Sequence, residues 1–273
     1  MADSIANSPI VENWDLERSK RYLFAPSESD NKYRRGVVGC FTGDRKYPGA
    51  ALMTTAAALA TGVGMVRFLG SKSVQRQVIQ FRPAVVCAPG KVDSLIIGSG
   101  VSLNLFNKIK IRKLISSDVP KVLDAAAIKY AELSKTPTVI TPHAGELSRL
   151  IGISSSEIEA QPLKYAHLAA VKLGVTVLLK GHQSIVANGD RTIQLPEAPN
   201  WLATAGTGDV LAGILGALIA INFKEVNFKN LIELSATASF LHANAAMSVS
   251  PGPIDIENLI NNISPTITLL LSK

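Results

Sequence analysis

Short β-branched segments alternate with longer helical patterns along most of the chain, and this alternation limits the fold more than any other feature. The segments 37–42, 65–69 and 175–179 are largely apolar, and stretches with helical spacing separate them. A run such as 175–179, apolar at nearly every position, is typical of a strand buried on both faces of a sheet. Because strands separated by helices pair in parallel, the sequence predicts an α/β fold with a mostly parallel, doubly wound sheet and helices on both faces.

The same patterns divide the chain into predicted elements. The predicted strands are 37–42, 65–69, 84–87, 94–97, 121–124, 138–141 and 175–179, and a hairpin follows over 184–195. The predicted helices are 48–62, 103–115, 125–133, 154–173 (interrupted at Pro162), 209–221, 230–247 and a last piece from residue 255. Residues 1–30 are polar and irregular, which predicts an N-terminal arm with weak packing. Residues 31–273 then form a single domain.

Composition excludes several other classes of protein. Of the 273 residues, 47% are hydrophobic, which is too many for a disordered chain. The longest apolar stretches, such as 210–221, are shorter than the ~20 residues that a membrane-spanning helix needs, and the first 15 residues lack a signal-peptide pattern. The two cysteines, Cys40 and Cys87, provide no disulfide framework. We therefore expect a cytoplasmic protein with no membrane partner.

The formal net charge of +7 suggests an anionic partner, which could be a nucleic acid, a membrane surface or a small molecule. The densest basic cluster is Lys108, Lys110, Arg112 and Lys113, where basic and apolar residues alternate as on a helix with one solvated side. No aromatic residue lies between them to stack on bases. We therefore predict no nucleic-acid partner, and the charge alone identifies no site.

The strongest local motif is the segment 204–209, Thr-Ala-Gly-Thr-Gly-Asp, which precedes a very apolar helical pattern. Its glycines allow several backbone N–H groups to point into one space, and the start of the helix adds partial positive charge there. A transferring phosphoryl group needs such a site. Asp209, in the first turn, is then placed to accept a proton from a hydroxyl that attacks phosphorus. The alternative is a glycine-rich turn in which Asp209 only caps the helix.

Polar residues after the other predicted strands are further candidates, because ligands bind at the carboxyl ends of parallel strands. Pro142 must end its strand and places His143 at the rim, with Glu146 about one helical turn further on. Lys180 and His182 follow the last strand before the hairpin. The alternative role of Lys180 is that of a solvated strand terminus.

Other sequence features narrow the chemistry. His167 and His242 lie in helical patterns, and we interpret both as surface or packing residues. The fingerprints of dehydrogenases and P-loop enzymes are absent. No cysteine or histidine spacing fits a protein metal site. Mg²⁺ would therefore be held largely by the phosphates of a bound ligand.

Six motifs follow one another in order and together resemble the ADP/ATP-dependent NAD(P)H-hydrate dehydratases, a family with the ribokinase-like fold. They lie at 43–67, 97–100, 122–125, 141–146, 179–181 and 200–213. The order of the six makes the resemblance specific, whereas the glycine loop alone would indicate only the broader fold. Since about 30 residues precede the first predicted strand, we expect a dehydratase module without the epimerase domain often fused ahead of it.

The resemblance implies dehydration of hydrated NADH and NADPH (NADHX and NADPHX), with ADP, or ATP in some members, as co-substrate and Mg²⁺ as the accompanying ion. Phosphorylation of the ring hydroxyl makes a good leaving group, and loss of phosphate restores the reduced nicotinamide. Asp209 matches the family's catalytic aspartate, and Ala50, Gly100, His143 and Asp209 match its contacts to the hydrated dinucleotide. The implied nucleotide-binding residues are Lys180, Gly181, His182, Gln183, Ser184, Gly206, Thr207 and Gly208.

One departure from the family and several alternatives remain. The usual Gly-Pro-Gly is Gly98-Ser99-Gly100 here, which predicts a less constrained loop. The glycine loop and the aspartate also fit a small-molecule kinase of the hydroxyethylthiazole or hydroxymethylpyrimidine type, or a non-catalytic adenine-nucleotide-binding module. The sequence does not decide between ADP and ATP or between NADHX and NADPHX. The apolar helices after residue 209 predict a homo-oligomer, with a tetramer as the expected size.

Overall fold

The computed structural model describes residues 11–272, which form a nine-stranded sheet covered by helices on both faces. The strands are β1 (Val11–Asn13), β2 (Val37–Phe41), β3 (Met65–Phe68), β4 (Ser94–Ile97), β5 (Lys121–Leu123), β6 (Thr138–Ile140), β7 (Thr176–Leu179), β8 (Ile185–Ala187) and β9 (Thr192–Gln194). The helices are α1 (Leu16–Lys20), α2 (Pro48–Ala60), α3 (Lys72–Phe81), α4 (Leu105–Ile115), α5 (Ala144–Ile151), α6 (Ser155–Ala160), α7 (Pro162–Leu173), α8 (Thr207–Ile221), α9 (Leu231–Met247), α10 (Ile256–Asn261) and α11 (Ile263–Ser272). Two further segments, Ala125–Leu133 and Asn200–Leu202, are 3-10 helices.

The sheet has the predicted doubly wound, mostly parallel arrangement. Its strand order is β1-β9-β8-β7-β6-β5-β4-β2-β3, and only the two pairs made by β8 are antiparallel. Strands β2, β4 and β7 are buried at every residue, as their apolar sequences require. One hydrophobic cluster packs α2, α8 and α9 against one face, and a second packs α4, α5 and α7 against the other. The predicted fold class is confirmed.

Helix α8 lies directly against the sheet because its glycines allow close approach. A Cβ on Gly216 would lie 2.2 Å from Ile96 Cγ1, and the Ser94 hydroxyl donates a hydrogen bond to the Gly216 carbonyl at 2.7 Å. The residues from Val210 to Ala220 are buried, as is most of α9. The chain itself therefore covers these apolar helices. Phe228, Leu269 and Leu271 remain exposed after residue 209, and the homo-oligomer stays a prediction.

Three of the elements that differ from the sequence prediction lie between residues 72 and 133. Helix α3 is missing from the predicted elements, although Val74 and Val78, four residues apart, face the core as in an amphipathic helix. The predicted strand 84–87 contributes only one isolated bridge to β3, because prolines flank it on both sides and cannot donate to a ladder. Residues 125–133 form a 3-10 helix that begins at Ala125 with a left-handed φ of 44°.

The described part of the N-terminal segment packs onto the domain. Strand β1 pairs in parallel with β9, and Trp14 is only 3% exposed. The Arg191 guanidinium bonds carboxylates of β1 and α9 at 2.6 and 2.9 Å. The expectation of weak packing is wrong for residues 11–23, because burial of their apolar side chains holds them to the sheet. Residues 24–34 are exposed, residues 1–10 lie outside the described residues, and the division into arm and domain stays a prediction.

The carboxyl ends of the parallel strands share one edge of the sheet, where ligands of such folds bind. The loops after β2, β4, β5, β6 and β7 all end there. The predicted hairpin is formed by β8 and β9, and Asn188 Oδ1 at its turn accepts the N–H groups of Asp190 and Arg191 at 3.0 and 2.7 Å. Between residues 11 and 272, no helix is both long and apolar enough to span a bilayer.

Candidate active site

The glycine loop leads directly into α8 and places Asp209 in its first turn. Gly206 has a left-handed φ of 101°, and a Cβ there would lie 2.5 Å from Met53 Sδ. The Thr207 hydroxyl donates to the carbonyls of Leu202 and Thr204 at 2.8 and 2.9 Å, which fixes the loop against the preceding segment. The first N–H groups of a helix have no intrahelical acceptors, so they remain able to bind an anion beside Asp209.

A buried ion pair lies beneath this loop. Lys180, which follows β7, places its ammonium 3.1 Å from Asp124 Oδ1 at the end of β5. Asp124 also accepts hydrogen bonds from the hydroxyls of Thr141 at 2.7 Å and Ser99 at 2.8 Å. Burial raises the pKa of Asp124, but the Lys180 charge and these hydrogen bonds outweigh it and hold the pKa below its ordinary value. Asp124 is therefore an anion that anchors the lysine.

Lys180 links this pair to the glycine loop. A Cβ on Gly208 would lie 3.3 Å from Lys180 Nζ, and Glu146 Oε2 is 3.9 Å from the same nitrogen. Burial lowers the pKa of Lys180, but the charges of Asp124 and Glu146 raise it above its ordinary value. The lysine is thus a fixed positive charge directed at the start of α8.

Asp209 has the electrostatic character of a general base. Its pKa is raised to about 7, mainly by burial and then by the negative charge of Asp124. The Lys180 charge and the Ser99 hydroxyl oppose this rise. A base is most effective when its pKa lies near the working pH. The carboxyl can therefore accept a proton near neutral pH and release it again.

A cavity of about 460 Å³ opens beside Lys180 and the start of α8. Of the predicted site residues, those that line it are His143, Lys180, Gly181, His182, Ser184, Thr207 and Gly208. The Gln183 side chain instead bonds Gln194, and Gly206 packs on Met53. Ala50 and Gly100 contact each other outside this cavity, since a Cβ on Gly100 would lie 2.5 Å from Ala50 Cβ. The binding roles of these residues stay predictions.

The loop between β4 and α4 corrects one expectation. Ser99 replaces the family's proline, and the sequence predicts a looser loop there. Its hydroxyl is buried and donates to Asp124, while Gly98 and Gly100 have φ values of 116° and 63°. The hydrogen bond from Ser99 to Asp124 thus restricts the loop at the position where the family has a proline.

His242 is a cavity residue that the sequence interpretation missed. It lies on α9, is 7% exposed and lines the cavity. Burial lowers its pKa to about 4, so the imidazole is neutral at physiological pH. Its Nε2 has no hydrogen-bond partner among residues 11–272. No local motif marks this histidine, because α9 is apolar around it.

The chain has the ribokinase-like α/β fold, and a glycine loop, a lysine and an aspartate lie at the strand ends of its mostly parallel sheet. The sequence profile of the NAD(P)H-hydrate dehydratase family matches residues 38–265. The chain belongs to this family, and the resemblance seen in its six motifs is confirmed.

Individual relatives agree with this membership. The chain is 34% identical over 250 residues to the bifunctional NAD(P)H-hydrate repair enzyme of Mycobacterium leprae, covering 86% of this chain and 50% of the relative. It is 30% identical to the ADP-dependent (S)-NAD(P)H-hydrate dehydratase of Nitrosopumilus maritimus, covering 84% and 86%. The chain spans about half the length of the bifunctional relatives it matches.

A solved structure shares the fold. The ADP/ATP-dependent NAD(P)H-hydrate dehydratase of Bacillus subtilis, co-crystallized with ATP/Mg²⁺, superposes with a TM-score of 0.84 over 96% of this chain and 99% of that one, at 23% identity. At this identity the likeness supports the fold alone.

Proposed function

We propose that the chain is a hydro-lyase that uses ADP to convert NADHX and NADPHX back to NADH and NADPH, releasing AMP and phosphate. The observation that carries this proposal is the Asp209 carboxyl, whose pKa is raised to about 7 beside Lys180 at the start of α8. Family membership and the relatives named for this reaction support the substrate class. The reaction repairs a damaged metabolite.

The proposed reaction has two steps. Asp209 takes the proton from the ring hydroxyl, whose oxygen attacks the β-phosphorus of ADP, and the bond to the departing AMP breaks. Lys180 and the N–H groups at the start of α8 stabilise the negative charge on the transferring group. Phosphate then leaves the ring with its bonding electrons, and loss of a ring proton restores the dihydronicotinamide.

The cavity of about 460 Å³ is the proposed nucleotide site. Apolar residues such as Pro199 and Leu202 form a wall suited to an adenine ring, and its proposed phosphate end is lined by Lys180, Gly181, His182, Ser184, Thr207 and Gly208. The N. maritimus relative is named for ADP and the B. subtilis structure for both ADP and ATP. We propose ADP as the co-substrate, with ATP as the alternative.

The proposed Mg²⁺ would be bound through the nucleotide. Within residues 11–272, no group of three or more His, Cys, Asp or Glu side chains is placed to hold a metal ion. Phosphate oxygens and water are ordinary magnesium ligands and fit this lack of a protein cage. When bound, the ion would neutralise phosphate charge.

The test is recovery of reduced-nicotinamide absorbance from purified NADHX and NADPHX with ADP, with ATP and with no nucleotide. We expect nucleotide-dependent recovery by the wild type and its near-complete loss in Asp209→Asn, which retains nucleotide binding because only the base is removed. No recovery with either nucleotide contradicts the proposal. A stable phosphorylated product from a thiazole or pyrimidine alcohol would identify a kinase instead.

We also propose a homo-oligomer in the cytoplasm. Leu105, Phe106 and Ile109 on α4 are exposed apolar side chains, each more than half accessible, and their burial between copies would favour assembly. Cys40 and Cys87 are both free thiols, which suits a reducing compartment. Light scattering tests the assembly, for which a tetramer is the proposed size, and a monomer mass contradicts it.

A further inference from the structure

A second cavity, of about 630 Å³, lies at the same edge of the sheet as the candidate active site. It is formed by the segments that follow β2, β3 and β4, together with one face of α4. The charged residues of its lining are Asp44, Arg45, Lys46, Lys72 and Lys110. None of the predicted site residues belongs to it.

This cavity is strongly positive. Arg45, Lys46, Lys72 and Lys110 line it, and among residues 11–272 none of these four forms an ion pair with a carboxylate. Lys110 is part of the basic cluster of α4, so the fold brings one member of that cluster to the strand ends. Cationic side chains gathered without acidic partners suit a phosphate ester.

The single acidic residue in the lining does not neutralise the cavity. Asp44 Oδ1 accepts the backbone N–H of Lys46 at 2.8 Å, and its Oδ2 accepts that of Ser102 at 2.6 Å. Burial raises its pKa, but these hydrogen bonds outweigh that effect and lower it. Asp44 thus connects the loops after β2 and β4 through hydrogen bonds, and the lining keeps an excess of positive charge.

The second cavity connects to Asp124, the anchor of Lys180, through a continuous set of contacts. The Gly43 N–H donates to the Ser99 carbonyl at 2.7 Å, and Ser99 in turn bonds Asp124. A Cβ on Gly100 would lie 3.3 Å from Gly43 Cα. Gly100, a predicted dinucleotide contact, therefore lies between the candidate active site and the second cavity.

The strand order and the spacing between strands give the distance from Asp124 to the second cavity. From β5, which carries Asp124, the order continues β4-β2-β3. Strands lie about 4.8 Å apart, so the space between the ends of β2 and β3 is about 12 Å from the end of β5. A dinucleotide with its nicotinamide ring at Asp209 can span this distance through its diphosphate. Its adenosine end would then reach the second cavity.

We propose that the second cavity binds the phosphate ester on the adenosine ribose of NADPHX, so that this chain prefers NADPHX to NADHX. The proposal rests on the function proposed above. The diphosphate, common to both substrates, passes near Gly100, whereas the four cations lie beyond it at the strands that the adenosine reaches. The phosphate ester is the only group that distinguishes the two substrates, so cations placed there act on selectivity.

The experiment measures kcat/KM for NADPHX and NADHX in the wild type, Lys46→Ala, Lys72→Ala and the double variant. We expect the wild-type ratio to favour NADPHX, and each substitution to lower that ratio about tenfold, because a hydrogen bond to a charged group contributes that much. The matched control is Lys113→Ala, an exposed lysine of α4 that does not line the cavity. A ratio unchanged by the double variant, or equal losses for both substrates, overturns the proposal.

A second measurement separates this proposal from the proposed function. Calorimetric titration with NADP⁺ and NAD⁺ needs no turnover. Tighter binding of NADP⁺ that disappears in the double variant supports the phosphate site even if no dehydration is observed. Equal affinity for NADP⁺ and NAD⁺ in the wild type overturns the phosphate site even if dehydration is observed.

Discussion

The Asp209 carboxyl should lower the stability of the folded protein above about pH 4, and its replacement by Asn should restore that stability. The pKa of Asp209 is raised from an ordinary value of 3.8 to about 7, mainly by burial and then by the charge of Asp124. The folded protein therefore binds this proton more tightly than the unfolded chain does. The contribution of Asp209 to the free energy of unfolding therefore falls as the pH rises from 3.8, its ordinary pKa, to about 7, its pKa in the folded protein. Above about pH 7 this contribution no longer changes.

The magnitude follows from the two pKa values. Their difference, at about 1.4 kcal/mol for each pKa unit, gives about 4 kcal/mol. Because the side chain is partly exposed to solvent, which screens its charge, we expect about 2–4 kcal/mol. Asp209→Asn should therefore be close to the wild type in stability near pH 4, and more stable by about this amount at pH 8.

Urea unfolding of the nucleotide-free protein across this pH range measures the effect, provided that the dependence on urea is the same for both proteins. The control is Asp190→Asn, which removes an exposed carboxylate at the β8–β9 turn. A constant difference between Asp209→Asn and the wild type at all pH values would refute the reasoning, as would a less stable variant at pH 8.

Three further predictions concern the same site. The value of kcat/KM should fall about tenfold for each pH unit below about 7, because Asp209 acts only when ionised, and a flat profile in a pH-rate study would exclude it as the base. Lys180→Met should cost about 3–5 kcal/mol in urea unfolding because it leaves the Asp124 carboxylate buried without its cation. Exposed Lys172→Met is its control, and equal stability of the two variants would show that the ion pair is not coupled to folding. Gly206→Ala should cost about 1–3 kcal/mol, because its φ is 101° and the new Cβ would lie 2.5 Å from Met53 Sδ. Gly189→Ala, with nothing within 4 Å of its Cβ, should unfold like the wild type, and a matching result for Gly206→Ala would contradict the strain at the loop.

Local sequence patterns were sufficient for the fold and for part of the site. Strands such as β7 are apolar at nearly every position, and the glycine loop is contiguous with Asp209. These features can therefore be predicted from short segments of sequence. The spacing of Val74 and Val78 indicates an amphipathic helix, so α3 could have been predicted from the sequence. The burial of Trp14 had no local signal, because β9, its partner in the sheet, lies far along the chain.

The electrostatics of the site could not be predicted in the same way. Asp124 acts on Asp209 through space, and its partners Ser99 and Lys180 are 25 and 56 residues away in sequence. The neutral state of His242 depends on burial by several elements, which no helical pattern encodes. The positive second cavity likewise collects its cations from three separate segments. Such arrangements exist only after the strands have paired.

The most direct test of the account is the product balance of a single reaction. Purified protein is mixed with NADPHX and ADP, and reduced nicotinamide, AMP and inorganic phosphate are measured together over time. The account predicts that the three products appear in equal amounts and that Asp209→Asn forms none of them at an appreciable rate. Consumption of ADP with a stable phosphorylated dinucleotide and no free phosphate would contradict it, as would recovery of reduced nicotinamide without ADP.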